Sequence, residues 1–161
     1  MTAPGLRDAY RVRRATPSDA TAVAGELAAY LRFLELVPDP EDLDHDVAAW
    51  QREYDGSSGV LLVVESADGS VVGTAGVRLL GAGTGELKRM WLRPECRGLG
   101  LGRRLMGACL AEARALGCCV LRLDSRRRLT AALALYRAFG FREIADYNAN
   151  PRADLWMELS L

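Results

Sequence analysis

The sequence predicts one mixed α/β domain, and three observations carry that prediction. Short apolar runs rich in β-branched residues alternate with segments of helical period along most of the chain. Half of the 161 residues are hydrophobic and 26% are charged, the composition of a globular chain with a sizeable core. No repeat, linker or low-complexity stretch divides residues 1–161, so a single domain is expected.

Tyr10–Arg14 reads as a first strand. Thr16-Pro17-Ser18-Asp19 is a helix-start signal, and Ala20–Leu36 follows as an amphipathic helix ended by Pro38 and Pro40. A second helix is expected over Glu41–Tyr54, stopped by Asp55-Gly56. Val60–Glu65 and Val71–Leu80 read as strands joined through the hairpin signal Ala67-Asp68-Gly69-Ser70. Gly81–Gly85 reads as a loop and Glu86–Leu92 as a strand. Arg103–Leu116 places apolar residues at 105, 106, 109, 110, 113 and 116, a helical period with Gly117 as its stop. Cys118–Asp124 is a strand and Leu129–Phe139 a helix ended by Gly140; Phe141–Ile144 and Leu155–Leu161 complete the series.

Scarce residue types exclude several chemistries. Lys88 is the only lysine among 21 basic residues, which rules out a Walker A loop and leaves one amine for a Schiff base. His45 is the only histidine and sits among acids, where a solvated role suits it better than a hydrolase triad. The four cysteines show no C-x-x-C spacing, so neither a disulfide framework nor a metal site is expected, and Cys96 is the candidate exposed thiol. No apolar run approaches the roughly 20 residues of a membrane helix. Met1-Thr-Ala-Pro-Gly5 has no apolar leader core, so a cytoplasmic location is expected.

The zero net charge conceals a polarity. Residues 16–59 hold ten acids and two bases, whereas residues 86–128 hold eleven bases and four acids. An anionic ligand would suit the basic segment and a cationic one the acidic segment, unless both are simply solvated faces.

The strongest local signal is Arg97-Gly-Leu-Gly-Leu-Gly102, between a predicted strand and a predicted helix. Alternating glycines let successive N–H groups converge, and the helix start adds a positive dipole end, so a phosphate is the natural guest. The dinucleotide fingerprint is not met, because it would need glycine at Arg103 or Leu105.

Arg97-x-x-Gly100-x-Gly102 matches the [Arg/Gln]-x-x-Gly-x-[Gly/Ala] acetyl-CoA signature of the GNAT superfamily of N-acetyltransferases. Glu86–Gly102 as a whole, and Ala132-Leu-Ala-Leu-Tyr136 with Gly140-Phe141, resemble that superfamily's core elements, and the element order over residues 10–161 resembles its fold. The resemblance implies a central, mostly antiparallel sheet with a splayed V between two strands, flanked by about four helices. It implies acetyl-CoA as co-substrate and no metal. The main-chain groups of Met90 and Leu92 would hold the pantetheine arm. The amides of Arg97, Gly98, Leu99, Gly100, Leu101, Gly102 and Arg103 would hold the pyrophosphate. Tyr136 matches the position of the general acid, with a core tyrosine as the structural alternative. Glu86 matches the position of a glutamate base; an acceptor-positioning group or an ion pair with Lys88 or an arginine is the alternative, and Asp124 is a further candidate base.

One departure is Leu129, which stands where many members carry a cofactor-contacting asparagine. Arg126-Arg127-Arg128 would contact the cofactor's 3′-phosphate or an acidic acceptor, or be a solvated run. In the family's fold the acidic segment and Ala145–Arg152 would line the acceptor entrance. An acidic mouth would favour a cationic small amine or a basic peptide; Asn148, Asn150 and Arg152 would equally suit a carboxylate, and a plain Asn-Pro turn is the alternative. The leading expectation is acetyl transfer to a small-molecule primary amine by direct attack in a ternary complex. Peptide or protein N-acetylation and a non-catalytic acyl-CoA-binding module are the alternatives. Nucleic-acid and membrane partners are not expected, and homodimerisation is common in the family.

Overall fold

Val60, Leu61, Leu62, Val63 and Val64 are all buried, so the strand that carries them needs apolar cover on both faces. In the computed structural model, which describes Gly5 and residues 8–161, it has that cover. The expected leaderless N-terminus lies outside the described residues. Strands β1 (Tyr10–Arg14), β2 (Gly59–Ser66), β3 (Val71–Gly81), β4 (Thr84–Leu92), β5 (Val120–Ser125), β6 (Arg142–Ile144) and β7 (Leu155–Ser160) form one sheet in the order β1-β2-β3-β4-β5-β7-β6. Only β4 and β5 pair in parallel.

Helix α1 (Ala20–Phe33) puts Val23 and Leu27 against Leu61 and Val63 on one face of the sheet. One-turn helices α2 (His45–Ala48) and α3 (Trp50–Glu53) lie beside it and add Trp50 to that cluster. On the other face, Leu101, Leu105 and Met106 of α4 (Leu101–Ala115) pack with Val60, Leu62 and Val64, and Leu133 and Tyr136 of α5 (Thr130–Ala138) join them.

Two expected boundaries change. α1 stops at Phe33, with Glu35 at a positive φ of 57°. The helix expected over Glu41–Tyr54 is two single turns starting only at His45, with buried Asp44 and Asp46 on arginines of other elements and a break at Ala49. The expected loop at Gly81–Gly85 is a two-residue hairpin, with Ala82 (φ 50°) and Gly83 (φ 73°) both in the left-handed region that such turns require. Cys96 is buried at 4% exposure, packed in the core beside α4, and the exposed thiol is Cys119.

The feature that shapes the site is in β4. Its register with β3 runs from Gly76↔Lys88 to Thr74↔Trp91, so β4 carries one extra residue there. Arg89 sits in that bulge with φ 55°. An unbroken strand would place Glu86, Lys88, Met90 and Leu92 on one face. The bulge divides them: Met90 and Leu92 turn to the α4 core, while Arg89 and Trp91 turn to the α1 side, where they bond Asp46 and Glu26.

β5 pairs with β4 only from Thr84↔Val120 to Glu86↔Arg122, then follows β7 to Ser125. Beyond Glu86 the two strands part in a V. Since the Arg93 N–H donates to the Val72 carbonyl, antiparallel alternation turns the main-chain groups of Met90 and Leu92 toward the edge that β5 has left.

Gly73 lets β3 approach this stretch closely. A Cβ there would lie 2.6 Å from Leu92 Cδ2 and 2.7 Å from the Trp91 carbonyl oxygen. Gly73→Ala is expected to lower stability by about 1–3 kcal/mol, read from denaturant unfolding, because backbone on the β4 side cannot yield as a side chain could.

Candidate active site

A cleft of about 620 Å³ occupies the V between β4 and β5. One end is built by the turn before α4. Gly98 (φ 78°) and Gly100 (φ 77°) adopt the left-handed conformation that the turn needs, and Gly100 caps the helix. The first N–H groups of α4 have no intrahelical acceptor, so they and the dipole offer an anion site. The Arg97 guanidinium lies 4.6 Å from the Phe33 ring centroid and 5.4 Å from that of Trp91, and its Nε donates to the Leu92 carbonyl at 3.2 Å.

Most residues singled out from the sequence meet here. Met90, Leu92, Arg97, Gly98, Gly100, Gly102, Arg103 and Tyr136 all border the cleft. The side chains of Leu99 and Leu101 turn into the core instead, which leaves only their main chain for a ligand.

The Arg126-Arg127-Arg128 run divides. Arg126 and Arg128 line the cleft, held by the carbonyls of Arg152 (2.7 Å) and Leu34 (3.1 Å). Arg127 turns away to pair with Glu143. Arg97, Arg103, Arg126 and Arg128 therefore border one cleft without a carboxylate partner among the described residues. Four uncompensated guanidiniums, a helix N-terminus and a free strand edge suit a long ligand with several phosphates and an amide-bearing arm. Acetyl-CoA has that chemistry.

Tyr136 is 6% exposed, with its ring 5.9 Å from that of Phe141. No described group hydrogen-bonds its hydroxyl, and the hydroxyl is not sealed in the core, so it opens onto the cleft. Burial first, then neighbouring Tyr30, Cys109 and Asp124, push the phenol well above its ordinary range, so it stays protonated. Tyr30 of α1 also borders the cleft and carried no sequence signal that set it apart from a core aromatic.

Glu86 is 2% exposed at the point where β4 and β5 part. Its Oε1 meets Arg78 Nε at 3.3 Å and Lys88 Nζ at 3.4 Å, and its Oε2 accepts the Tyr147 hydroxyl at 2.7 Å. It does not line the cleft; Lys88 and Asp124 do. Asp124 is the only acidic residue among those lining it, held by Asn148 Nδ2 at 2.5 Å, and Asn148 is fixed in turn by Trp156 Nε1 at 2.8 Å. The walls are thus not the acidic mouth expected from residues 16–59. Asp19, Glu26, Asp44 and Asp46 of that segment are held by Arg13, Arg93, Arg152 and Arg89.

The acetyltransferase (GNAT) family model matches residues 24–141. The chain belongs to the GNAT family. It is therefore an acetyl-CoA-dependent N-acetyltransferase. An aminoglycoside N(6')-acetyltransferase type 1 of Stenotrophomonas maltophilia is 34% identical over 146 residues, 86% of this chain and 90% of the relative. An N-acetyltransferase of Schizosaccharomyces pombe is 34% identical over 112 residues, 69% of each chain. A GNAT-family acetyltransferase structure from Staphylococcus aureus Mu50 superposes with a TM-score of 0.84 at 18% identity, over 94% of this chain and 99% of that one. The yncA structure of Salmonella typhimurium, solved with its cofactor acetyl-CoA, gives 0.73 at 24% identity over 94% of both chains. Among the described residues of the GNAT enzyme, no helix is long and apolar enough to cross a membrane.

The Arg89 bulge depends on Asp46, which is 1% exposed. Burial opposes its ionisation, but the Arg89 hydrogen bonds and the Tyr54 hydroxyl outweigh that, lowering the carboxyl from 3.8 to about 2. A depressed pKa adds stability that is fully present above about pH 4 and is lost as pH falls toward 2. The wild-type unfolding midpoint is expected to drop across that window. Asp46→Asn should be less stable at pH 7 and show a flatter acid limb in the same titration.

Proposed function

We propose that this GNAT enzyme acetylates a primary amine of a small molecule, the amine attacking acetyl-CoA directly while both are bound. The observation that carries the reading is the unpartnered Tyr136 hydroxyl on the wall of a cleft bordered by four arginines that have no carboxylate partner among the described residues. A small acceptor is supported by the 34% identity to an aminoglycoside acetyltransferase over 90% of its length. The one continuous sheet supports treating the chain as a single catalytic domain.

The thioester is already activated, so the protein has to orient the reactants, take a proton from the amine and return one to the leaving thiolate. The main-chain N–H and C=O groups of Met90 and Leu92 bind the pantetheine amides along the free edge of β4. The amides of residues 97–103 bind the pyrophosphate at the start of α4. Arg126 and Arg128 bind the 3′-phosphate, which replaces the contact that the asparagine missing at Leu129 would give. Tyr136 Oη donates its proton to the leaving sulfur; its raised pKa keeps that proton available at neutral pH.

Proton removal from the amine needs a carboxylate that the acceptor can reach. Asp124 borders the cleft beside Tyr136 and accepts that proton. Glu86, the sequence candidate for this role, has both oxygens engaged and acts instead as the positioning group. It fixes Lys88 and Tyr147 at the vertex of the V.

The test follows free thiol release from acetyl-CoA over a panel of polyamines, aminoglycosides, amino acids and lysine peptides. Tyr136→Phe is expected to lose about 10²-fold or more in kcat with acetyl-CoA binding intact. Asp124→Asn should lose a similar factor, while Glu86→Gln mainly raises the acceptor KM. Turnover confined to peptides would overturn the small-molecule assignment.

Arg126→Gln and Arg128→Gln are each expected to weaken acetyl-CoA binding about tenfold or more by calorimetry, the loss of a charge-assisted contact. Arg127→Gln should leave binding unchanged, because its partner is Glu143.

A further inference from the structure

Residues 34–44 run as an irregular strap from the end of α1 to the start of α2, and Leu36 and Leu43 project from it onto the cleft wall. Apolar burial does little to fix this strap. Of its residues only Leu34 and Asp44 are buried, and Val37 is 83% exposed. Three arginines from three other elements hold it by its carbonyls. Arg128 donates to Leu34 at 3.1 Å, Arg152 Nη2 to Val37 at 2.8 Å, and Arg89 Nη2 to Leu43 at 3.1 Å.

Asp44 joins these contacts into one unit. Its Oδ1 accepts Arg152 Nη1 at 2.8 Å and lies 3.2 Å from Arg89 Nη1, while its Oδ2 accepts the Asp39 N–H at 2.7 Å. Arg152 lies in the connection between β6 and β7 and borders the same cleft, so the Asp44–Arg152 pair ties the strap to that connection. The same Arg152 receives Arg126 Nε on its carbonyl, which connects the clasp to the arginines of the anionic end.

We propose that Asp44 and Arg152 determine acceptor specificity: as a clasp they fix the strap to the β6–β7 connection and set the space into which the acceptor amine fits. The inference rests on the amine-acceptor reading above and adds the residues that select the acceptor. Because apolar packing contributes little, cutting the pair at Arg152 frees the strap and leaves Arg89, the sheet and the cofactor turn in place. A widened cleft then loses its preference between small and large amines, which is a change in the ratio of their kcat/KM values.

The test compares wild type with Asp44→Asn, Arg152→Gln and the double variant in three measurements. Glutamyl endopeptidase should cut at the exposed Glu35 and Glu41 about fivefold or more faster in each variant. The KM for kanamycin or spermidine should rise about tenfold, and the preference of either over a lysine peptide should shrink by a similar factor. In Arg152→Gln, which leaves Asp44 on Arg89, the dissociation constant of acetyl-CoA should change by less than about twofold. If Asp44→Asn fails to fold, Arg152→Gln carries the test, since that side chain is partly exposed at 17%.

Unchanged cleavage in a folded variant overturns the clasp. Faster cleavage with unchanged preference between kanamycin or spermidine and the peptide overturns the specificity role. Wild type that acetylates none of these probes overturns the small-amine reading and the specificity role with it, a result separate from the protease readout.

Discussion

The extra residue in β4 governs most of the site. Arg89 holds a left-handed conformation that costs a non-glycine residue on the order of 1–2 kcal/mol. It persists because its guanidinium is locked between Asp44 and Asp46, both buried. A buried ion pair is weak evidence for net stability, since desolvation offsets most of its attraction. Its consequence here is placement. The bulge sends Met90 and Leu92 to the α4 side, turns their main chain to the open edge, and lets β5 leave β4 after Glu86. Cleft, cofactor turn and acceptor strap all border that opening.

The same interaction explains how the two charged halves of the chain are used. Asp19, Glu26, Asp44 and Asp46 of residues 16–59 are drawn inward to arginines on β1, β4 and the β6–β7 connection, where they fix α1 and the strap. Arg97, Arg103, Arg126 and Arg128, without such partners among the described residues, border the cleft. A neutral protein thereby keeps a cationic interior groove for an anionic co-substrate, and a single wall carboxylate, Asp124, near the reacting end.

Much of the fold was legible in the sequence because its strands are dense apolar runs and its two longest helices have clear periods. The second helix was not. Its acids at 44 and 46 belong to a segment read as an acidic mouth or a solvated face, yet they are buried by arginines 43 and 108 residues away, and no local pattern records such partners. Cys96 is buried against its expected exposure for the same reason, since its cover comes from how α4 lies on the sheet. In the site, the glycine turn and Tyr136 were readable because their chemistry is local. Tyr30 and the roles of Asp124 and Glu86 depend on which carboxylate faces the cleft, which the bulge and the opening of the V decide. The arginine run was legible as a basic cluster, but only the fold shows that its middle member faces outward.

The account stands on the free edge of β4 and the turn before α4 holding one ligand. Amide hydrogen exchange of the protein with and without saturating acetyl-CoA tests that most directly. Protection should rise at Met90, Leu92 and residues 98–103, while amides paired within β1 and β2 keep their rates. Binding without protection along β4, or protection confined to another surface, would contradict it.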